Sequence, residues 1–444
     1  MSDRSPKSNP EWSHQKRPLS IRAYQAFSHL AGPFARIALR QRLSAGKEDP
    51  NRISERRGIA ARPRPHGKIF WIHAVSVGES LSILPLINLI EDYRDDFTFL
   101  VTTGTVTSAQ IMATRLPATA IHQYIPIDHP HYVSAFLDHW RPDAAVFIES
   151  ELWPNLILAA KESIPFMTLL NARISPRSFK NWSKHKKHIQ YIFSAFDALI
   201  AQDKVNAGRI SFLSGRPVAT IGNLKNAAAP LPIDQDKFDV LKKQIDGRHV
   251  WLASSTHPGE EYAIVKTHQL LKNIFPDILT IIAPRHAERG AKIQTHAREL
   301  ALKTCLRSTQ DPPTNETDIY IADTLGELGL FYQFCDIAFV GGSLDANGGH
   351  NPLEAAHLEC AILHGPHIFN FDETYEGLHN IDAAVLVTNE RDLATSVQRL
   401  LNEPNAKSEM IQQAKSMAQT NADKILRDLY DLVVAKLPKE KIKS

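Results

Sequence analysis

Acidic and basic residues stand directly after apolar runs in the first half of the chain. Glu79 follows "WIHAVSVG", Glu149 follows "AAVFI", and Lys225 follows "VATIGNL". A helix start keeps a carboxylate ionised, and Gly78 leaves room for a substrate oxygen beside Glu79. A proton acceptor near a cation suits transfer of a group from a phosphate-linked donor to a hydroxyl. The alternative for Glu79 is an ordinary acid in a first helical turn.

Hydroxyls, cations and glycines occupy the corresponding positions in the second half. "ASSTHPGEE" carries Ser255, Thr256 and His257 before a helix start, which would hold an anion or simply be capped. Arg285 ends the next strand and could bind phosphate or form a surface salt bridge. In "GGSLDANGGHNPLEAA", glycines would admit a ligand to the backbone and Glu354 could accept hydrogen bonds from a ribose. These features predict a nucleotide site without a Walker loop.

The elements that would position these residues alternate between strands and helices. From residue 68 onward, short apolar runs alternate with longer segments of helical period. This rhythm predicts a mostly parallel sheet with helices on both faces. It is interrupted at 223–236, a stretch of Ala, Pro and polar residues, and then starts again. We therefore expect an α/β fold of two doubly wound, Rossmann-like domains that face each other across a cleft.

Three domains follow from this pattern. Residues 1–67 form a polar extension and a basic amphipathic segment, 68–228 an acceptor-binding Rossmann-like domain, and 229–444 a second Rossmann-like domain with a C-terminal helix. The second domain holds the predicted nucleotide site. The C-terminal helix could pack back across the domains.

Composition narrows the functional classes. The chain is 43% hydrophobic and 22% charged, as in ordinary globular proteins. Three cysteines without the paired spacing of a zinc site predict reduced thiols and no metal centre. The net charge is +3, but residues 1–68 hold fifteen Lys and Arg against five Asp and Glu. The basic excess therefore belongs to the N-terminus.

Apolar residues recur at helical spacing within residues 19–43, with arginines among them. This pattern is typical of an amphipathic helix on an anionic membrane surface, while packing on the protein body or on a partner are the alternatives. No apolar run approaches the roughly 18 residues that cross a bilayer, so we expect the chain to stay on the cytoplasmic side. No nucleic-acid-binding motif accompanies the basic region, which argues against a nucleic acid partner.

The order of the motifs resembles that of the 3-deoxy-D-manno-octulosonic acid (Kdo) transferases of lipopolysaccharide synthesis. The resemblance extends over about residues 45–430. It is carried by "WIHAVSVGES", "ESELWPN", "NARIS", "GNLK", "STHPGEE", "PRHAER", "GEL", "FVGGS", "GGHNPLEAA" and "GPHIFNF".

The resemblance implies a GT-B fold and an inverting transfer. The donor would be CMP-Kdo and the acceptor a tetraacylated lipid A precursor, at the cytoplasmic face of the inner membrane of a Gram-negative bacterium. It implies no metal and no organic cofactor.

The resemblance also assigns roles to residues. Glu79 would be the proton acceptor, and Glu149 and Lys225 would stabilise the transition state. The implied CMP-binding positions are Pro284, Arg285, Leu325, Gly326, Glu327, Asn351, Pro352, Leu353 and Glu354. Further donor or acceptor contacts are expected at Ser76, Arg173, Ser255, Thr256, His257 and Gly349.

Two departures from the family pattern affect these expectations. Asn226 and Ala227 follow Lys225, where the family often has aromatic and acidic residues. The family pattern therefore does not define the local shape around Lys225. The chain also begins with a polar extension instead of a continuous apolar anchor, which predicts shallow, peripheral attachment. Another GT-B glycosyltransferase, a sugar-nucleotide epimerase, and a membrane-surface binding module without catalysis are the alternative functions.

Overall fold

A computed structural model describes residues 17–227, 230–245 and 247–438. The predicted polar extension falls largely on residues 1–16, outside this part of the chain. Contacts divide the protein into two compact units, residues 1–228 with 421–444, and residues 229–420. The predicted second domain included the whole C-terminal helix, whereas this division assigns residues 421–444 to the first unit.

The first unit contains one seven-stranded parallel sheet. Its strands are β1 Lys68–His73, β2 Phe97–Thr103, β3 Ala120–Tyr124, β4 Ala144–Ile148, β5 Phe166–Ala172, β6 Ala198–Ala201 and β7 Ala219–Thr220. Its helices are α1 Leu19–Leu30, α2 Gly32–Ser44, α3 Val77–Ser82, α4 Leu84–Tyr93, α5 Val106–Arg115, α6 Pro130–Trp140, α7 Pro154–Ser163, α8 Pro176–Ser183, α9 Lys186–Phe193 and α10 Lys204–Ser214.

The second unit contains another seven-stranded parallel sheet. Its strands are β8 Val250–Thr256, β9 Leu279–Pro284, β10 Thr304–Leu306, β11 Ile319–Ile321, β12 Ile337–Val340, β13 Ala361–His364 and β14 Ala384–Leu386. Its helices are α11 Gln235–Ile245, α12 Glu260–Lys272, α13 Gly290–Glu299, α14 Leu328–Phe334, α15 Leu353–His357, α16 Asp372–His379, α17 Glu390–Asn402 and the start of α18 Pro404–Leu432.

The strand order of each sheet reverses at one point. The first sheet runs β3-β2-β1-β4-β5-β6-β7, and the second runs β10-β11-β9-β8-β12-β13-β14. Chain progress therefore changes direction between β1 and β4, and again between β8 and β12. The carboxyl ends at such switch points are where doubly wound sheets bind ligands. The register pairs His73 with Phe147, so the loops after β1 and β4 leave the sheet side by side.

Buried apolar residues on both faces explain why the strands read as continuous apolar runs. Phe70, Trp71 and Ile72 of β1 are all fully buried, as expected for parallel strands covered by helices on each side. Each sheet has one strand that does not read as an apolar run, β3 in the first and β10 in the second. β3 contains His122 and Gln123, and β10 has only three residues, so neither produces a clear apolar run.

Proline divides two helical segments of the first unit, one of which, residues 19–43, we expected to form a single helix. The amphipathic segment 19–43 forms α1 and α2, with Pro33 in the first turn of α2. The segment after Glu79 forms α3 and α4, with Pro85 in the first turn of α4. Proline lacks the N–H that would continue a preceding helix, but it suits the start of a new one.

The helices α1 and α2 attach to the rest of the first unit through polar contacts and through Ile21, which is buried in its apolar core. The hydroxyl of Tyr24 donates to Asp128 Oδ2 at 2.9 Å. Asp128 also accepts the backbone N–H groups of Asn155 and Leu156 at the start of α7. Along α1 and α2, Leu19, Phe27, Leu30, Phe34 and Ile37 are exposed.

Candidate functional site

Glu79 lies in the first turn of α3 and is bound to the turn that precedes it. Its Oε2 accepts the N–H of Val75 at 2.9 Å, and its Oε1 accepts the hydroxyl of Ser76 at 2.7 Å. Ser76 in turn caps α3 by accepting the N–H of Glu79 at 3.3 Å. The Glu79 residue is 7% exposed. Each oxygen uses one of its acceptor sites, so the carboxylate keeps capacity for a substrate hydroxyl.

Glu149 and Lys225 form an ion pair beside the loop that contains Glu79. The Lys225 ammonium lies 3.0 Å from Glu149 Oε1. A Cβ placed on Gly78 would lie 3.4 Å from Lys225 Cε and 3.7 Å from Nζ. The three predicted catalytic residues are thus brought together in the first unit: Glu79 and Glu149 follow the neighbouring strands β1 and β4, and Lys225 reaches them from the turn after β7.

Two positive-φ residues support this arrangement. Glu149 has φ 58° and Asn171 has φ 55°, in the left-handed region that few non-glycine residues adopt. Asn171 is fully buried, and its Oδ1 accepts the N–H of Leu224 at 3.0 Å. This bond fixes the turn that carries Lys225. Sequence reasoning assigned no role to Asn171, although it begins the motif "NARIS" and Asn tolerates positive φ.

A third carboxylate, Glu151, accompanies the pair. Burial raises its pKa, the indole N–H of Trp153 opposes that effect at 2.8 Å, and the charges of Glu79 and Glu149 raise it further. The first unit therefore concentrates negative charge around Lys225. Arg173, the predicted contact after β5, is exposed and makes no hydrogen bond or ion pair with the described residues.

Three histidines and an arginine cluster in the second unit, where a nucleotide site was expected. The His257 and His350 rings stack with their Nε2 atoms 2.9 Å apart, and His286 packs edge-on against His257. Burial lowers the pKa of His350 to about 4, and the positive charge of Arg285 contributes. Arg285 is exposed and unpaired among the described residues. Its guanidinium is available for an anionic ligand.

The carboxylate of Glu260, in the first turn of α12, binds backbone groups of two loops. It accepts the backbone N–H groups of His257, Gly342, Ser343 and Leu344 at 2.7–2.9 Å. Only His257 among these donors belongs to the predicted helix start, and the other three lie in the loop after β12, so anion binding by the first N–H groups of α12 stays a prediction. Glu260 ties the loop after β8 to the loop after β12.

The glycines of the second unit mostly accommodate the protein itself. A Cβ on Gly341 would lie 2.7 Å from the carbonyl oxygen of Ser254, and one on Gly348 would lie 2.5 Å from the Phe369 ring. Close packing of loops, rather than ligand approach, requires glycine at these two positions. Gly349 has φ 73° and its N–H donates to the Gly342 carbonyl at 2.7 Å.

In the segment Leu325–Glu327, the acceptor sites of the Glu327 carboxylate are used by hydrogen-bond donors of the protein, and the Leu325 side chain is exposed. Glu327 accepts hydrogen bonds from Lys237, Arg307 and Thr324. Although burial opposes ionisation, these donors lower its pKa to about 2. The Glu327 side chain is thus structural. The exposed Leu325, 79% exposed, and the backbone at Gly326, with φ 83°, remain for a ligand.

The "NPLE" segment starts the short helix α15. Asn351 Oδ1 accepts the N–H of Leu353 at 3.1 Å, as expected for a capping residue, while Pro352 and Leu353 are buried. Glu354 makes no hydrogen bond with the described residues. Burial raises its pKa to about 7, against the opposing charge of Arg285. Glu354 and Arg285 therefore lie close enough to interact electrostatically.

The remaining predicted contacts follow β8 and β9. Ser255 has φ 52°, and Thr256 is buried with no partner for its hydroxyl among the described residues. Pro284, half-buried, ends β9. Within the described residues, no group of three or more His, Cys, Asp or Glu side chains is arranged to hold a metal ion. None of the described helices is both long and apolar enough to span a membrane.

A solved structure with this architecture identifies the type of fold. A glycosyltransferase from Rickettsia africae is 13% identical, with a TM-score of 0.58 over 85% of this chain and 100% of that chain. At this identity the likeness concerns the fold alone. Two parallel seven-stranded sheets in separate units and this likeness define a GT-B type α/β fold.

Sequence comparisons identify the family. Residues 51–228 match the family described as 3-deoxy-D-manno-octulosonic-acid transferase (kdotransferase). The 3-deoxy-D-manno-octulosonic acid transferase of Rickettsia bellii is 34% identical, over 94% of this chain and 99% of its own. That of Rickettsia typhi is 39% identical, over 76% and 73%. The chain belongs to the Kdo transferase family and is a glycosyltransferase, as its motifs predicted.

Proposed function

We propose that the protein transfers Kdo from CMP-Kdo to a hydroxyl of a tetraacylated lipid A precursor, with inversion at the anomeric carbon. The observation that carries this proposal is the Lys225–Glu149 ion pair against Gly78, one residue before Glu79. This arrangement joins a proton acceptor to a cation in one unit.

Glu79 acts as the proton acceptor in this mechanism. The acceptor oxygen attacks the anomeric carbon, its proton passes to the Glu79 carboxylate, and the bond to the CMP oxygen breaks with its electron pair. The N–H of Val75 and the hydroxyl of Ser76 each donate to one oxygen of Glu79 and so hold its carboxylate in a fixed orientation. General-base help of this kind contributes roughly 10²- to 10⁴-fold in rate.

Lys225 and Glu149 stabilise the transition state. The ammonium has three N–H donors and gives one to Glu149, so two remain for the donor's carboxylate or the leaving phosphate. Glu149 orients the ammonium and, as a negative charge, can favour the positive character that develops on the sugar ring. Asn171 acts as a positioning residue through Leu224.

The second unit binds CMP in this proposal. Arg285 supplies a free guanidinium for the phosphate, and Glu354 accepts ribose hydroxyls. Leu325, Gly326 and the start of α15 would contribute through backbone groups and an apolar contact, because the Glu327 carboxylate is occupied by other donors. These residues perform the reaction without a metal ion, since cations and N–H donors stabilise the leaving CMP.

The exposed apolar side chains of α1 and α2, together with Arg22, Arg36 and Arg40, support binding to the cytoplasmic face of an inner membrane. An apolar face flanked by cations is typical of a helix at an anionic lipid surface. Attachment there would be peripheral. Deletion of residues 19–43 should weaken association with anionic liposomes in a flotation assay, and equal flotation of the truncated protein would exclude this role.

The direct test is incubation with CMP-Kdo and the lipid A precursor, followed by mass spectrometry of the lipid. We expect a mass increase of one or more Kdo units and release of CMP. Glu79→Gln should lose transfer by about 10²-fold or more while CMP binding stays intact. Asp92→Asn, which changes an exposed carboxylate on α4, is the matched control. Full activity of Glu79→Gln would remove Glu79 from the mechanism.

A further inference from the structure

A long stretch of the first unit contains cations but no acids. Between Glu162 and Asp197 the sequence has no Asp or Glu. The Lys and Arg residues in this stretch are Arg173, Arg177, Lys180, Lys184, Lys186 and Lys187. Most protein surfaces intersperse both signs of charge, so a field of one sign indicates an anionic partner.

The cations of α8 and α9 point to solvent from a packed scaffold. Arg177 and Lys180 lie three residues apart on α8, and Lys184, the C-cap residue of α8, continues their spacing by four residues on the same face. All three are exposed, as is Lys187. The opposite face of α8 packs onto the core through Phe179 and Trp182. We call the group Arg177, Lys180, Lys184 and Lys187 the α8–α9 basic surface.

Neighbouring acids are occupied elsewhere. Glu162 pairs with Arg17, and Asp197 pairs with Lys161 at 2.8 Å. Asp203 caps α10 by accepting the N–H of Asn206. Consequently, no cation of the α8–α9 basic surface forms an ion pair within the described part of the chain.

The α8–α9 basic surface follows the carboxyl end of β5, the strand beside the one that precedes Glu149. Strand β5 pairs with β4, whose carboxyl end carries Glu149. Asn171, near the end of β5, holds the turn of Lys225, and Pro176 starts α8 soon after it. At 1.5 Å per residue, Arg177 to Lys184 covers about 10 Å, a length comparable to a sugar headgroup. An anionic headgroup on this surface could extend to the catalytic carboxylates.

We propose that the α8–α9 basic surface binds phosphate groups on the headgroup of the acceptor lipid. This inference rests on the proposed function and adds a recognition site for the acceptor, separate from the catalytic residues. Several exposed cations on one helix face suit a multiply charged phosphate better than a neutral sugar.

The test measures binding of a phosphorylated, tetraacylated disaccharide lipid in neutral detergent micelles by isothermal titration calorimetry. The variant replaces Arg177, Lys180, Lys184 and Lys187 by Gln. A control variant replaces Lys243, Lys292, Arg298 and Arg391 of the second unit by Gln, which removes the same charge from exposed positions. We expect at least about tenfold weaker binding for the first variant, and wild-type binding for the control.

Phosphatase-treated lipid separates phosphate recognition from other effects. Wild type should bind this lipid as weakly as the α8–α9 variant does, and the variant should bind both lipids alike. A variant that replaces the three lysines by Arg and Arg177 by Lys retains charge and should bind as wild type, which controls for folding. Equal affinity of wild type and the Gln variant for the phosphorylated lipid would overturn the proposal.

Two further outcomes would also overturn it. The same titration is made with vesicles of anionic phospholipid. If the Gln variant loses affinity only for these vesicles, the surface recognises the bilayer and not the acceptor lipid. The other outcome is a loss of equal size for both lipids relative to wild type, because phosphate would then play no part. Binding is measured without CMP-Kdo, so this inference can fail while Kdo transfer stands, and transfer can fail while lipid binding stands.

Discussion

Replacement of Gly78 by Ala tests whether substrate approaches the catalytic residues over α3. Gly78 precedes Glu79 in the first turn of α3, and the side chain of Lys225 lies close to Gly78. Its φ lies outside the left-handed region, so an Ala side chain is compatible with the backbone. The added methyl would lie 3.4 Å from Lys225 Cε, an ordinary van der Waals separation.

Stability and activity should therefore change in different directions. Ala in a helix is more favourable than Gly by about 0.5–1 kcal/mol. A unit of this size shifts its Tm by about 2–4 °C per kcal/mol, so Tm should stay equal or rise by up to about 4 °C. The methyl would displace a reacting hydroxyl by roughly 1 Å, and a displacement of that size can lower the rate about 10²-fold.

The assay measures kcat/KM for Kdo transfer together with Tm by differential scanning calorimetry. Gly208→Ala is the matched control, because Gly208 is exposed within α10 and a Cβ there would meet nothing within 4 Å. We expect the control to retain full activity with a similar gain in Tm. Wild-type transfer by Gly78→Ala would refute substrate approach at this position, and a large fall in Tm would refute the packing argument.

Two further predictions follow from the ion pairs. Lys225→Met should lower kcat by about 10²- to 10³-fold in single-turnover assays, because a transition-state donor is lost. The Tm of this variant should change little, since a partly exposed ion pair contributes at most about 1 kcal/mol. A large Tm change with normal kcat would show that Lys225 has a structural role and not a catalytic one. Glu327 has a pKa of about 2, below its unfolded value near 4.5, so its stabilisation is full above pH 4.5 and is lost as pH falls toward 2. Glu327→Gln should lower the free energy of unfolding by about 2–3 kcal/mol at neutral pH. In calorimetry, the Tm difference between wild type and this variant should become smaller below pH 4.5. A difference that does not depend on pH would contradict this prediction.

The local pattern of apolar residues was sufficient to predict the parallel sheets, because most of the buried strands are continuous apolar runs. Strand β1, for example, is apolar from Ile69 to Ile72 and is buried on both faces. Strand β3 escaped prediction because its side chains serve polar contacts at the sheet edge. His122 Nδ1 accepts an N–H of Arg52, its Nε2 shares a hydrogen bond with the hydroxyl of Thr103, and Gln123 accepts the indole N–H of Trp140. Polar residues at an edge strand obscure the apolar signal.

The candidate site was only partly predictable. The types and order of Glu79, Glu149 and Lys225 pointed to proton transfer beside a cation, and the structure brings these residues together. The support of Asn171 could not be read locally, because its partner Leu224 lies 53 residues further along the chain. Long-range hydrogen bonds of this kind depend on the tertiary fold, which no local spacing reveals.

Three Gly-Glu pairs illustrate what tertiary contacts decide. Glu79, Glu260 and Glu327 each follow a glycine at or near a helix start, so the sequence presents them alike. A carboxylate has about four acceptor sites. Glu260 accepts four backbone N–H groups, and Glu327 accepts four donors from three side chains. Glu79 accepts only two, and Glu149 accepts one from Lys225. The acids with unused acceptor sites therefore lie in the first unit, where a substrate hydroxyl needs a base, whereas the two saturated acids of the second unit hold loops in place.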